Sequence, residues 1–303
     1  MTMQEKWAEP HPAMIETRLG RVECAVSGEG PAILLLHGAM GGCDQSLLLG
    51  RSALGNSGFR FIAVSRPGYL GTPLASGKAP EHQADLCAAL LDVLDVPQAA
   101  VIAISGGGQC ALQFVLRHPN RCRALIMISA CSATINVRLP LRFHLMKWIA
   151  KFPWLVAAMR KKAAANPAET ARRSIADPAL RERTLLDSEA GPLMLALLLS
   201  TMDRMALRMP GTENDILQSR LPFDYPLEKI RVPSLVVHGA ADQIVPFAQS
   251  RSLASRVPNA ELFTIEGGEH VSLFTHLHEI RARIRQFLSL HVPLGGRPTS
   301  GQP

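Results

Sequence analysis

Apolar residues in this chain come in short continuous runs, set between longer stretches of helical period. The runs are Ala32 to Leu36, Phe59 to Val64, Ala99 to Ile104, Ala124 to Ser129, Ser234 to His238 and Ala260 to Ile265. Runs of this length, rich in Val, Ile and Leu, read as strands buried on both faces. Between them Ser46 to Leu54 and Glu81 to Leu94 read as helices, the second with Leu86, Leu90, Leu91 and Leu94 at helical spacing. The pattern through Leu112, Val115 and Leu116 predicts a third helix, and Phe247 to Arg256 and Leu277 to Leu290 two more. Ahead of all these, Met14 to Gly20 and Val22 to Ser27 predict an antiparallel hairpin turning near Leu19-Gly20-Arg21. Strand and helix alternating in this way imply an α/β fold, with a mostly parallel sheet flanked by helices.

The alternation stops at Ala133. Until Ile230 only helical patterns appear, punctuated by prolines at 140, 153, 167, 178, 192, 210 and 222. Strand grammar then returns after Pro233. The chain therefore divides into a core built from residues 1–132 and 231–303 and an all-helical insertion over 133–230. The ends, 1–13 and 295–303, are polar or Gly/Pro/Ser-rich and are expected to be flexible.

Composition narrows the class. Hydrophobic residues make up 47% and charged residues 19%, which suits a globular chain with a substantial core. The start, MTMQEKWAEPHP, lacks a basic segment followed by an apolar one, and no apolar run approaches the ~18 residues of a membrane span. With six cysteines scattered without paired spacing, this favours free buried thiols and a cytoplasmic location. The net charge of +7 is concentrated in the insertion, which carries 15 Lys and Arg against 10 Asp and Glu. It reads as a solvated helical face; attraction of an anionic substrate or an acidic carrier is the sharper alternative. Aromatic residues are only 5%, which disfavours a nucleic-acid platform. Gly71 to Lys78 resembles a phosphate loop but has one residue too many between its glycines, with Ala79 where Ser or Thr belongs. Gly28-Glu29-Gly30 precedes a strand, so it is no dinucleotide fingerprint either.

The chemistry centres on AAVIAISGGGQCALQF. Ser105 stands between a buried strand and a helix, followed by Gly106, Gly107 and Gly108. This is the pattern of a nucleophile elbow, a turn so tight that only small neighbours fit and the serine oxygen is pushed out of the sheet edge. G-x-S-x-G is met with alanine in its first place, Ala103. A serine hydroxyl needs a base, and the base an orienting carboxylate, and both belong in loops at the carboxyl ends of strands. Asp242 follows one strand in LVVHGAADQIVP, and His270 follows the next in FTIEGGEHVSLF. His276 and His278 fall in or beside the last helix and read as surface residues. His37 reads as a support for its own loop, not as the base.

The order Ser105, Asp242, His270 resembles that of the α/β-hydrolases of serine esterase type, over roughly residues 14 to 291. The resemblance implies a catalytic triad of these three residues. It also implies an oxyanion hole formed by the backbone N–H groups of Ala39, after His37-Gly38, and of Gly106. SRPGYLGTPL resembles the family's glycine-rich turn, and the insertion would form a cap. Serine at the elbow, not aspartate, points to acyl transfer to water: cleavage of a carboxylic ester of a small or medium apolar substrate. Alternatives are cleavage of a C–C bond or a lactone in a carboxylate-bearing metabolite, or a non-catalytic ligand-binding role. No metal or organic cofactor is called for. The expected partner is a small-molecule substrate, not nucleic acid. Apolar residues of Phe143 to Met159 and Pro192 to Leu199 would line its pocket or merely pack the cap down. The basic residues beside the first stretch also suit contact with a membrane surface, as a lesser alternative.

Overall fold

The computed structural model describes residues 11–56, 58–135 and 141–292. Eight strands form one sheet: β1 (Ala13–Thr17), β2 (Gly20–Ser27), β3 (Ala32–Leu36), β4 (Arg60–Val64), β5 (Ala99–Ile104), β6 (Cys122–Ile128), β7 (Ser234–Gly239) and β8 (Ala260–Ile265). Their order across the sheet is β1-β2-β4-β3-β5-β6-β7-β8. The hairpin β1–β2 is antiparallel and β2 meets β4 antiparallel; every pairing from β4 to β8 is parallel. The chain thus has an alpha/beta hydrolase fold, with a mostly parallel sheet between helical layers.

The continuous apolar runs follow from burial on two faces. Ile33, Leu35, Ile102, Ile126 and Val237 point to one side, where α1 (Cys43–Leu54) and the C-terminal helix Leu277–His291 cover them. Their neighbours Leu34, Leu36, Val101, Met127 and Val236 point to the other, beneath α2 (Pro80–Val93), α3 (Gly108–Arg117) and the helix Phe247–Arg256. In the central strands both faces of the pleat are dry, so apolar residues occupy successive positions. The run Ala260 to Ile265 differs, because β8 is an edge strand and leaves Glu261 and Leu262 exposed. The first strand is shorter than its pattern, ending at Thr17, because Thr17 Oγ1 donates to Gly20 O and closes the turn.

Between β6 and β7 the described residues hold six helices and no strand: α4 (Leu141–Ile149), α5 (Pro153–Ala165), α6 (Pro167–Ala171), α7 (Pro178–Leu186), α8 (Ala190–Ser200) and α9 (Met209–Ser219). The prolines that punctuate the sequence stand in the first turn of α5, α6, α7 and α9, where a missing N–H costs nothing. Asp177 caps α7 by accepting from Ala179 N and Leu180 N. After β7 come α10 (Phe247–Arg256), a short α11 (Ser272–Thr275) that the sequence pattern did not reveal, and α12 (Leu277–His291), which joins α1 on its side of the sheet. The C-terminal segment expected to be flexible lies outside the described residues, as does most of the N-terminal one; Ala13 already belongs to β1. All six cysteines are buried and free. Among the described residues no single helix is long and apolar enough to cross a membrane.

Candidate active site

Ser105 follows the last residue of β5 with a φ of +51°, in the left-handed region that side chains other than glycine rarely adopt. A non-glycine residue held there costs on the order of 1–3 kcal/mol, so the surroundings must enforce it. They do so by close approach. A Cβ on Gly107 would stand 2.5 Å from Leu36 O, and one on Gly108 2.4 Å from Cys131 O. Ser105 O accepts from Cys131 N at 2.9 Å. Gly107 and Gly108 therefore reflect contact with the chain at the ends of β3 and β6.

The three residues named from the sequence come together. His270 Nε2 is 3.1 Å from Ser105 Oγ, and His270 Nδ1 is 2.8 Å from Asp242 Oδ2. The carboxylate fixes the tautomer: Nδ1–H donates to it, which leaves Nε2 to accept the serine proton. The Asp242 side chain is fully buried, while His270 is 22% exposed. Asp242 Oδ1 accepts from Ile244 N at 2.8 Å and Val245 N at 3.0 Å. His238, at the end of β7, adds a donor that sequence reading missed. Its Nε2 is 3.1 Å from Asp242 Oδ2 and 3.0 Å from Val245 O, and its Nδ1 accepts from Ser250 Oγ at 2.6 Å. Burial works against the Asp242 charge, but hydrogen bonds from His238 and His270 outweigh it and hold the carboxyl well below its ordinary range.

Ala39 and Gly106 are also neighbours. A Cβ on Gly106 would stand 3.5 Å from Ala39 N, and one on Gly38 would stand 2.9 Å from Ser105 Cβ. The loop carrying Ala39 is held by His37, which is fully buried. His37 Nδ1 donates to Gly38 O at 2.6 Å and its Nε2 accepts from Arg66 N at 3.0 Å. Burial, then the nearby Arg66 charge, push its pKa well below the ordinary value, so the ring is neutral. His37 is a support and not a base. Arg66 itself, from SRPGYLGTPL, was not singled out by sequence. Its Nε donates to His37 O at 2.9 Å, and its other nitrogens meet Gln83 Oε1 and the carboxylate of Asp215 on α9. Tyr69 OH also donates to Asp215, at 2.6 Å.

The insertion is stitched to this loop. Met40 N donates to Thr212 Oγ1 at 3.0 Å, and Arg208, fully buried, forks onto Asp44 at 3.1 and 2.7 Å. On the far side Glu269, next to His270, accepts from Ala176 N and Asp177 N. Phe143, Val156, Met205 and Met209 form an apolar cluster against which Met40 packs. Trp148 and Trp154, by contrast, are 54% and 70% exposed and line no interior. Leu193 and Met194 of α8 are buried in the core cluster of the α1 face, so that part of Pro192 to Leu199 packs the insertion down. His278 bonds Asp187 at 2.9 Å on the surface, and His276 bonds Thr275. Among the described residues no His, Cys, Asp and Glu cluster is arranged to hold a metal ion.

Residues 31–277 match the alpha/beta hydrolase fold family. A poly(3-hydroxyalkanoate) depolymerase of Ectopseudomonas oleovorans is 29% identical over 79% of this chain and 80% of its own length. A pimeloyl-[acyl-carrier protein] methyl ester esterase of Aromatoleum aromaticum is 30% identical over 81% of this chain and 93% of its own. Among solved structures, an alpha/beta hydrolase fold protein from Nakamurella multipartita superposes with a TM-score of 0.80 at 30% identity, covering 92% of this chain and 99% of that one.

Proposed function

Because the chain belongs to the alpha/beta hydrolase family, we propose that it is a serine hydrolase that cleaves a carboxylic ester of a small or medium apolar substrate. The observation that carries this reading is the unbroken hydrogen-bond line from Ser105 Oγ through His270 to Asp242. In the proposed mechanism Ser105 attacks the ester carbonyl as His270 Nε2 takes its proton. Asp242 holds the imidazole in its tautomer and stabilises the imidazolium that forms. The N–H groups of Ala39 and Gly106 receive the oxyanion; loss of one such donor typically costs ~2.7–4 kcal/mol of barrier. His270 returns the proton to the leaving alcohol, and water, activated by the same imidazole, releases the acid from Ser105.

The apolar preference is supported by Met40, which follows Ala39 and packs into the cluster of Phe143, Val156, Met205 and Met209. The insertion would then act as a cap whose inner wall is rich in methionine, a side chain that adapts to varied acyl shapes. The relative named as a methyl ester esterase accords with this reading. The test is hydrolysis of p-nitrophenyl esters from acetyl to decanoyl by wild type, Ser105→Ala and His270→Ala. Turnover by wild type that both substitutions abolish is the expected result, with an optimum chain length that sizes the acyl pocket. Wild-type turnover that survives in Ser105→Ala would overturn the proposal.

A further inference from the structure

Ester hydrolysis by Ser105, His270 and Asp242 has no use for a second carboxylate, yet α9 delivers one beside the oxyanion position. Asp215 takes the Arg66 fork through Nη1 to Oδ1 at 2.9 Å and Nη2 to Oδ2, and Tyr69 OH completes the socket at 2.6 Å. The Arg66 side chain is 2% exposed and that of Asp215 11%. A Cβ on Gly106 would stand 2.9 Å from Asp215 Oδ2 and 3.5 Å from Arg66 Nη2. Both charges thus lie against the residue that would donate to the oxyanion.

The two edges of Arg66 have separate partners. Its backbone N–H and Nε hold His37, and through it the Ala39 loop. The edge carrying Nη1 and Nη2 faces Asp215 and Gln83. Anchoring of the loop therefore does not require Asp215, and what Asp215 adds is charge balance. A bare guanidinium in a site sheltered from water would attract any anionic acyl tail, because Coulomb interactions strengthen as the dielectric falls. With the carboxylate in place the pair is neutral overall.

We propose that Asp215 is a specificity-determining residue, cancelling the Arg66 charge beside the reacting carbonyl so that the site takes uncharged acyl groups and disfavours those bearing a carboxylate. The inference rests on the acyl-transfer reading above. It also bears on the alternative of a carboxylate-bearing substrate, since the cation nearest Ser105 in this network is already paired.

The test uses boronic acids, whose tetrahedral adduct on serine stands in for the acyl-transfer intermediate and needs no turnover. 3-Methylbutylboronic acid and its carboxylate isostere, 2-carboxyethylboronic acid, are each titrated in competition with fluorophosphonate labelling of Ser105. Wild type is expected to favour the neutral compound at least tenfold. In Asp215→Asn that ratio should shift at least tenfold toward the carboxylate, and the shift should shrink with added salt. Asp215→Glu should keep the wild-type ratio. The double variant Arg66→Gln/Asp215→Asn, again without net charge, should return toward it. Equal binding of the two compounds by wild type overturns the inference without recourse to any variant. An unchanged ratio in Asp215→Asn overturns it too. Failure of the boronic acids and the fluorophosphonate alike to modify Ser105 overturns the serine hydrolase reading itself.

Discussion

At the residue scale, the proposed function is concentrated in a few contacts whose tolerance is measurable. A methyl group on Gly106 would force a shift: its Cβ would stand 2.9 Å from Asp215 Oδ2, which Arg66 and Tyr69 hold in place. With Gly106 as the proposed oxyanion donor, Gly106→Ala should lower kcat about 10²-fold, the usual loss when one such donor is displaced, with KM little changed in steady-state assays. Asp242→Asn should lower kcat about 10⁴-fold, since an amide no longer imposes the tautomer that leaves Nε2 free to accept. His238 gives a pH prediction. The Asp242 pKa is depressed below its ordinary 3.8, so its contribution to stability is present above that pH and is lost as pH falls toward the depressed folded value. His238→Ala removes one donor and raises the folded pKa, so the midpoint of acid unfolding, followed by circular dichroism, should move to higher pH. Ser105, Asp242 and His270 were legible because each sits in a local grammar of strand end, small residues and turn. Arg66 and Asp215 were not, because they stand 149 positions apart and acquire meaning only as a pair. His238 had a faint signal: a histidine ending an apolar strand four residues before an acid.

At the element scale, helices took their places from period and proline, but their inner faces could not be assigned from sequence. Phe143 to Met159 supplied candidates for a pocket wall, and the structure divides that stretch. Phe143 and Val156 turn inward, while Trp148 and Trp154 remain in solvent. A period marks which residues share a face, not which neighbour that face meets. Helix α9 is joined to the core by polar contacts, through Thr212 to Met40, Asp215 to Arg66 and Asn214 Nδ2 to Lys78 O. Just ahead of it, Arg208 reaches Asp44 in the first turn of α1. The Arg208 side chain has no exposure, whereas Asp44 keeps 26%. Arg208→Ala should cost about 3 kcal/mol, the low end for a broken buried pair because Asp44 can regain water. Urea unfolding followed by tryptophan fluorescence and circular dichroism together checks this.

At the scale of the whole molecule, the parallel part of the sheet explains why residues so far apart in sequence meet. Ser105, Asp242 and His270 leave β5, β7 and β8 from the same edge, and Ala39 leaves β3 beside β5. The order of strands and the interruption after β6 were visible in the apolar runs. The way the insertion straddles the site was not, since its anchors are single polar side chains: Glu269 on one side, Arg208 and Asp215 on the other. Acylation of Ser105 by an ester can be trapped. Wild-type protein mixed with p-nitrophenyl butyrate is quenched in acid during turnover and its peptides are weighed by mass spectrometry. A butyryl group is expected on the peptide containing Ser105, present during turnover and absent from Ser105→Ala. Ester consumption with no acyl group on Ser105, or with the acyl group on another residue, would contradict the proposed acylation.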